Sequence, residues 1–395
     1  MGVKERIDGI LEQLVTSGGA PGVVALAVNE RGPIYQGAAG AKGVDRDEPM
    51  TVDTMFWYAS MTKALVATGA MQLVEQGRMK LDSPVGAILP DLATPQVLEG
   101  FAADGTPKLR AAKRPITARH LLTHTSGFGY NWANADILRY LTANDLPDLI
   151  LCKRRSLYQP LLADPGERWE YGISIDWIGQ LIEAISGQSL RDYLKEHLFE
   201  PAGMNDTDFV QTDAQRRRRA TVHEKQADGS FVRIEHEVAQ KPEFFMGGGG
   251  CCGAPADYAA YIQMMLAGGQ ASSGARVLKP ETVAMMADNG IGELSAGVLK
   301  SVMPNLSHDA DFFPGLRQAW GMSFHLNLEP TPEGRSAGSM SWAGLANTYF
   351  WIDPSAHVGG VLFAQVLPFA DPAILATYRA FERAIYDDLA SATVA

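Results

Sequence analysis

Apolar residues recur at helical spacing from the start of the chain, at Ile7, Ile10, Leu11 and Leu14, and Gly18-Gly19 ends the pattern. Gly22 to Val28 is then an unbroken apolar, β-branched run. Asn29-Glu30-Arg31-Gly32 reads as a turn and Ile34-Tyr35-Gln36-Gly37 as the return, which together predict an antiparallel hairpin. Thr51 to Tyr58 is short, aromatic and strand-like, and it delivers the chain to Ser60 and the helical run Ala64–Val74. From Gly77 to about residue 290 the signals are mostly helices and loops. Ile116 to Leu122 is a short helix with Thr117 as its cap, and Ile175, Ile178, Ile182 and Ile185 form a helical stripe closed by Gly187. Pro255 opens a helix that ends at Gly268-Gly269. Strand signals resume at Trp320–Leu328, Ser339–Trp342, Thr348–Ile352 and Gly359–Val366, and a helix opened by Pro372 closes the chain.

Strands at both ends with helices between predict one sheet built from the two termini. Residues 1–59 with 291–395 would form this sheet lobe, and 60–290 a mainly helical lobe. The crevice between two such lobes is the expected place for a small-molecule site.

Length and charge narrow the classes. A chain of 395 residues can bury a large core, and a formal net charge of -11 opposes a nucleic-acid partner. The run Arg216-Arg217-Arg218-Arg219 reads as a solvated loop or rim. Three cysteines, Cys152, Cys251 and Cys252, give no disulfide framework, and His120 with His124 lacks the company of a zinc site. Neither a signal peptide nor a membrane-spanning run is visible, so a cytoplasmic protein is expected.

The candidate chemistry begins at Ser60-Met61-Thr62-Lys63. Three residues apart on a helix, Ser60 and Lys63 share one face. A serine hydroxyl needs a base within hydrogen-bond reach, and a lysine amine serves only if burial or a nearby cation lowers its pKa. Ser60 in the first helical turn would also bring backbone N–H groups to a developing oxyanion. Further along lie Leu121-Leu122-Thr123-His124-Thr125-Ser126-Gly127, then Tyr171-Gly172-Ile173, then Trp342-Ala343-Gly344.

Taken in order, these motifs resemble those of the serine β-lactamase and penicillin-binding-protein superfamily, closest to class C β-lactamases and the related family VIII carboxylesterases. The resemblance implies a β-lactamase-like α/β (α+β) fold with a central antiparallel sheet. It implies Ser60 as acylated nucleophile, Lys63 as its activating partner and Tyr171 as the second member of the base system. No metal or organic cofactor is implied. Two departures bear on substrate. Trp342 stands where β-lactamases carry the cation of Lys-Thr-Gly, and Ile173 where Tyr-x-Asn holds the substrate amide. Both point away from anionic lactams and amides, toward small neutral esters. Gly344 would let substrate lie against the strand, and the Leu345 N–H would join that of Ser60 as an oxyanion donor.

A carboxylesterase is therefore the leading expectation. An acyltransferase, a weak β-lactamase and a D-amino-acid peptidase are alternatives on the same motifs, and a non-catalytic receptor is the alternative outside enzymes. Gly247-Gly248-Gly249-Gly250 reads as a flexible approach to the Pro255 helix that lines the crevice, and His124 reads as structural because no Gly-x-Ser-x-Gly elbow exists. Phe128, Tyr130 and Trp132 are candidates for an acyl pocket.

Overall fold

The apolar run at Gly22–Asn29 becomes β1, the strand that joins the two ends of the chain in the computed structural model, which describes residues 2–394. On one side it pairs with β2 (Gly32–Gly43), the return arm of the predicted hairpin, and β2 pairs with β3 (Arg46–Pro49). The C-terminal part contributes β4 (Gln318–Trp320), β5 (His325–Asn327), β6 (Met340–Gly344), β7 (Thr348–Asp353) and β8 (Val358–Phe363). β8 closes onto β1 with Val24 opposite Phe363 and Val28 opposite Gly359. The sheet order is β4-β5-β6-β7-β8-β1-β2-β3, antiparallel throughout.

Five helices frame this sheet and the site: α1 (Val3–Thr16), α2 (Thr62–Glu75), α3 (Ser174–Ser186), α4 (Pro255–Leu266) and α5 (Pro372–Val394). Adjacent residues of β7 show that both faces are covered, because neighbours on a strand point to opposite sides. Phe350 meets Tyr258 of α4, whereas Trp351 meets Tyr378 and Phe381 of α5. Hence β1, β7 and β8 are apolar without alternation and almost wholly buried. Residues Thr62 to Leu73 of α2 are all buried, so that helix shows no polar stripe.

Local differences from the sequence reading have simple causes. Only Phe56–Trp57 of the stretch Thr51–Tyr58 is strand, because its partner Cys252–Gly253 is equally short. Trp320–Leu328 holds the last residue of β4, a turn with Ser323 at a φ of 72°, and β5 folded back on β4. A hairpin, Gln96–Phe101 with Pro107–Ala111, lies in the stretch read as helix and loop; apart from buried Val97 and Leu98 its residues are exposed or half-buried and give little apolar periodicity. No helix among the described residues is long and apolar enough to cross a membrane.

Candidate active site

Two short strands carry the chain to Ser60. Phe56–Trp57 pairs with Cys252–Gly253, and the Tyr58 N–H donates to the Cys251 carbonyl at 3.0 Å. Ala59 then takes a φ of 46°, Ala59–Met61 makes one tight 3-10 turn, and α2 follows. A positive φ at a residue with a Cβ is strained and must be held by its surroundings. The end of β6 supplies part of that hold. A Cβ on Gly344 would stand 2.2 Å from the Tyr58 carbonyl oxygen and 2.3 Å from the Thr348 hydroxyl. The glycine therefore serves the packing of β6 against the segment before Ser60, and that space belongs to protein atoms.

One turn on, Lys63 is wholly buried and its amine reaches three oxygens. It lies 3.0 Å from Ser60 Oγ, 2.9 Å from Tyr130 Oη and 2.6 Å from the Gly248 carbonyl oxygen. Burial pushes the Lys63 pKa well down, against an opposing pull from Asp176. A neutral amine here donates to Gly248 and Tyr130 and keeps its lone pair for the Ser60 proton.

The Tyr171 ring lies beside the same amine, with the Lys63 nitrogen 4.8 Å from its centroid. Burial raises the Tyr171 pKa; the Ser60 hydroxyl and the Trp342 indole at its oxygen offset part of that rise. The phenol is thus protonated at neutral pH, which separates the pair into an uncharged amine and a proton-carrying phenol. His124 braces this strand of chain: its carbonyl accepts the Glu170 N–H at 2.8 Å and its Nδ1 the Gly172 N–H at 3.4 Å. Burial first, then Lys63, holds His124 well below its ordinary pKa, so it stays neutral.

Trp342, on β6, donates its indole N–H to Tyr171 Oη at 3.0 Å and is only 6% exposed. Its ring packs among Tyr171, Trp320 and Phe312. The tryptophan thus spends its polar atom on the phenol. A cleft of about 290 Å³ opens over Ser60, walled by Trp57, Trp132, Ile150, Met246 and Leu345, with His236 among its polar groups. Ile173 is buried at the start of α3.

Ser60, Lys63 and Tyr171 are therefore brought to one point, Trp342 stands behind Tyr171, and Leu345 borders the cleft beside Ser60. Tyr130, considered for an acyl pocket, both lines the cleft and meets the Lys63 amine, while Trp132 stacks on it and walls the cleft. Phe128 stacks on Trp177 and is buried. Two groups beside Lys63 were missed from sequence: the Gly248 carbonyl and Asp176, whose Oδ1 accepts the Gly248 N–H at 2.9 Å. The available signal for Asp176 was an acid within the apolar stripe of α3. Cys152, Cys251 and Cys252 are buried and unbridged.

Known proteins resemble this chain over nearly its whole length. The family model described as Beta-lactamase matches residues 7–385. The monacolin J acid methylbutanoyltransferase of Aspergillus terreus is 33% identical over 384 residues, covering 93% of this chain and 91% of that protein. The lovastatin esterase of Penicillium rubens is 26% identical over 399 residues, covering 96% and 98%. Among solved structures, a simvastatin synthase mutant from Aspergillus terreus superposes with a TM-score of 0.85 at 32% identity, covering 98% of this chain and 97% of that one. A large antiparallel sheet joined from both chain ends, a Ser-x-x-Lys turn packed against the end of β6 and a family match over nearly the whole length lead to one assignment: the chain belongs to the beta-lactamase family, in the superfamily of serine β-lactamases and penicillin-binding proteins.

Proposed function

We propose that the chain is a serine acyltransferase that makes esters by passing an acyl group from Ser60 to an alcohol, with hydrolysis as its water branch. One observation carries this reading: a buried Lys63 amine, its pKa lowered, held 3.0 Å from Ser60 Oγ at the floor of an apolar cleft. Ser60 attacks the donor carbonyl as its proton passes to Lys63, and the Ser60 and Leu345 N–H groups face the oxyanion. Tyr171, protonated and adjoining both Ser60 and Lys63, hands a proton to the leaving group and recovers one from the incoming alcohol, and Lys63 returns its proton to Ser60 Oγ as the new ester leaves. Trp342 holds the phenol in place.

Apolar walls give water few hydrogen-bond partners and favour an apolar alcohol, which tilts partition toward transfer. The absence of a cation at Trp342 and of an amide-binding side chain at Ile173 supports neutral acyl donors over β-lactams. Similarity to the Aspergillus transferase supports transfer, and similarity to the Penicillium esterase keeps hydrolysis as the second reading. The carboxylesterase expected from sequence is thereby retained as the same acyl-enzyme meeting water.

The test is product analysis with p-nitrophenyl butyrate and a graded series of aliphatic alcohols. Transfer predicts ester yields above those set by bulk alcohol and water concentrations, saturating with alcohol. Acid as the sole product at every alcohol concentration would leave the esterase reading.

A further inference from the structure

Asp176, in the first turn of α3, is wholly shielded from solvent. Its Oδ1 accepts the Gly248 N–H at 2.9 Å, while its Oδ2 has no hydrogen-bond partner among the described residues. Gly248 also accepts the Lys63 amine on its carbonyl, at 2.6 Å. One residue thus bridges the carboxylate and the amine. A Cβ on Gly248 would stand 2.5 Å from Asp176 Oδ2 and 2.9 Å from Tyr130 Oη, so the missing side chain leaves both groups facing one small gap.

A buried amine that accepts a proton becomes a buried cation, and such a charge is costly without a counter-charge. Resting on the reading of Ser60 and Lys63 given above, we propose that Asp176 is a positioning residue that, through Gly248, orients the Lys63 amine and stabilises the ammonium formed when Ser60 attacks. In that step the Ser60 O–H bond breaks, Oγ bonds to the acyl carbon, and the proton forms a third N–H on Lys63. The carbonyl electron pair moves to the oxyanion. Asp176 stays ionised, so the new cation lies between two anions, the carboxylate on one side and the oxyanion on the other.

The neighbouring groups leave this pair to titrate alone near neutrality. Burial holds His124 neutral from below, and burial holds Tyr130, Tyr171 and Cys152 protonated from above. Burial also raises Asp176 above the ordinary carboxylate range, with Lys63 the largest opposing influence.

Asp176→Asn keeps an oxygen for the Gly248 N–H and removes the charge. With the charge gone the Lys63 ammonium is less stable, so the acid limb of kcat/KM moves to lower pH, by about one unit or more. The weaker base lowers kcat about tenfold while KM stays within about twofold. Gly248→Ala keeps both ionisable side chains but drives a methyl against the carboxylate, and it moves the limb the same way. A wild-type limb in either folded variant overturns the proposal, and Gly248→Ala decides if the Asn variant does not fold. Failure of the underlying reading looks different: the wild-type protein would then take no fluorophosphonate adduct at Ser60.

Discussion

The Trp342 indole N–H donates to the Tyr171 hydroxyl at 3.0 Å, from a side chain packed among Trp320, Phe312 and His325. The residue read from sequence as standing in place of a substrate-binding cation thus donates to a neighbouring phenol. It fixes where the phenol oxygen lies and withdraws charge from it.

Trp342→Phe keeps an aromatic ring and deletes that donor. The account predicts a fall in kcat of about tenfold with little change in KM, because the lost contact orients a proton donor and does not bind substrate. Steady-state kinetics with p-nitrophenyl butyrate checks this. A raised KM at unchanged kcat would return Trp342 to the substrate wall.

Gly344→Ala brings a methyl against the Tyr58 carbonyl, a backbone atom two residues before Ser60. Backbone cannot swing aside as a side chain can, so β6 and the turn at Ala59 must separate. The expected cost is about 1–3 kcal/mol of stability, with loss of most activity. Urea unfolding and Ser60 labelling rates measure the two effects separately.

Arg335 and Glu382 form a bidentate ion pair with side chains 4% and 2% exposed, joined by the Tyr378 hydroxyl, on the α5 side of the sheet. Removing one partner strands a buried charge. Glu382→Leu is therefore expected to cost about 3–5 kcal/mol, and the double change Arg335→Met with Glu382→Leu considerably less. Urea unfolding of the three proteins checks the order.

A lysine base works only when deprotonated, so acylation should rise with pH and level off. The acid limb belongs far below the ordinary lysine pKa of ~10.4, because burial disfavours the charged amine. Tyr171 stays protonated through this range because burial raises it, so it contributes no limb near neutrality. The pH profile of fluorophosphonate labelling at Ser60 reads this directly. A limb above pH ~9 would mean that Lys63 keeps its charge.

The parts of the site that were legible in sequence are those the chain itself brings close or in a spaced motif. Ser60 and Lys63 are one helical turn apart, and Tyr171 precedes a helix whose stripe and closing glycine are plain. The remainder comes from distant chain. Tyr130 lies 67 residues from Lys63 and Gly248 lies 185, and no local spacing records either contact. The same holds for the fold. Strands β1, β6, β7 and β8 announce themselves as apolar runs and β2 follows from the turn before it, whereas the hairpin at Gln96–Ala111 buries two adjacent residues, Val97 and Leu98, and so shows no alternating face to mark it.

The most direct test is to trap the acyl-enzyme. The protein is mixed with p-nitrophenyl butyrate, quenched in acid within a turnover and mapped by peptide mass. The account predicts a butyryl mass on the peptide carrying Ser60, cleared faster as alcohol is added, and none in Ser60→Ala. Turnover at the wild-type rate in Ser60→Ala, or a butyryl mass on another residue, would contradict it.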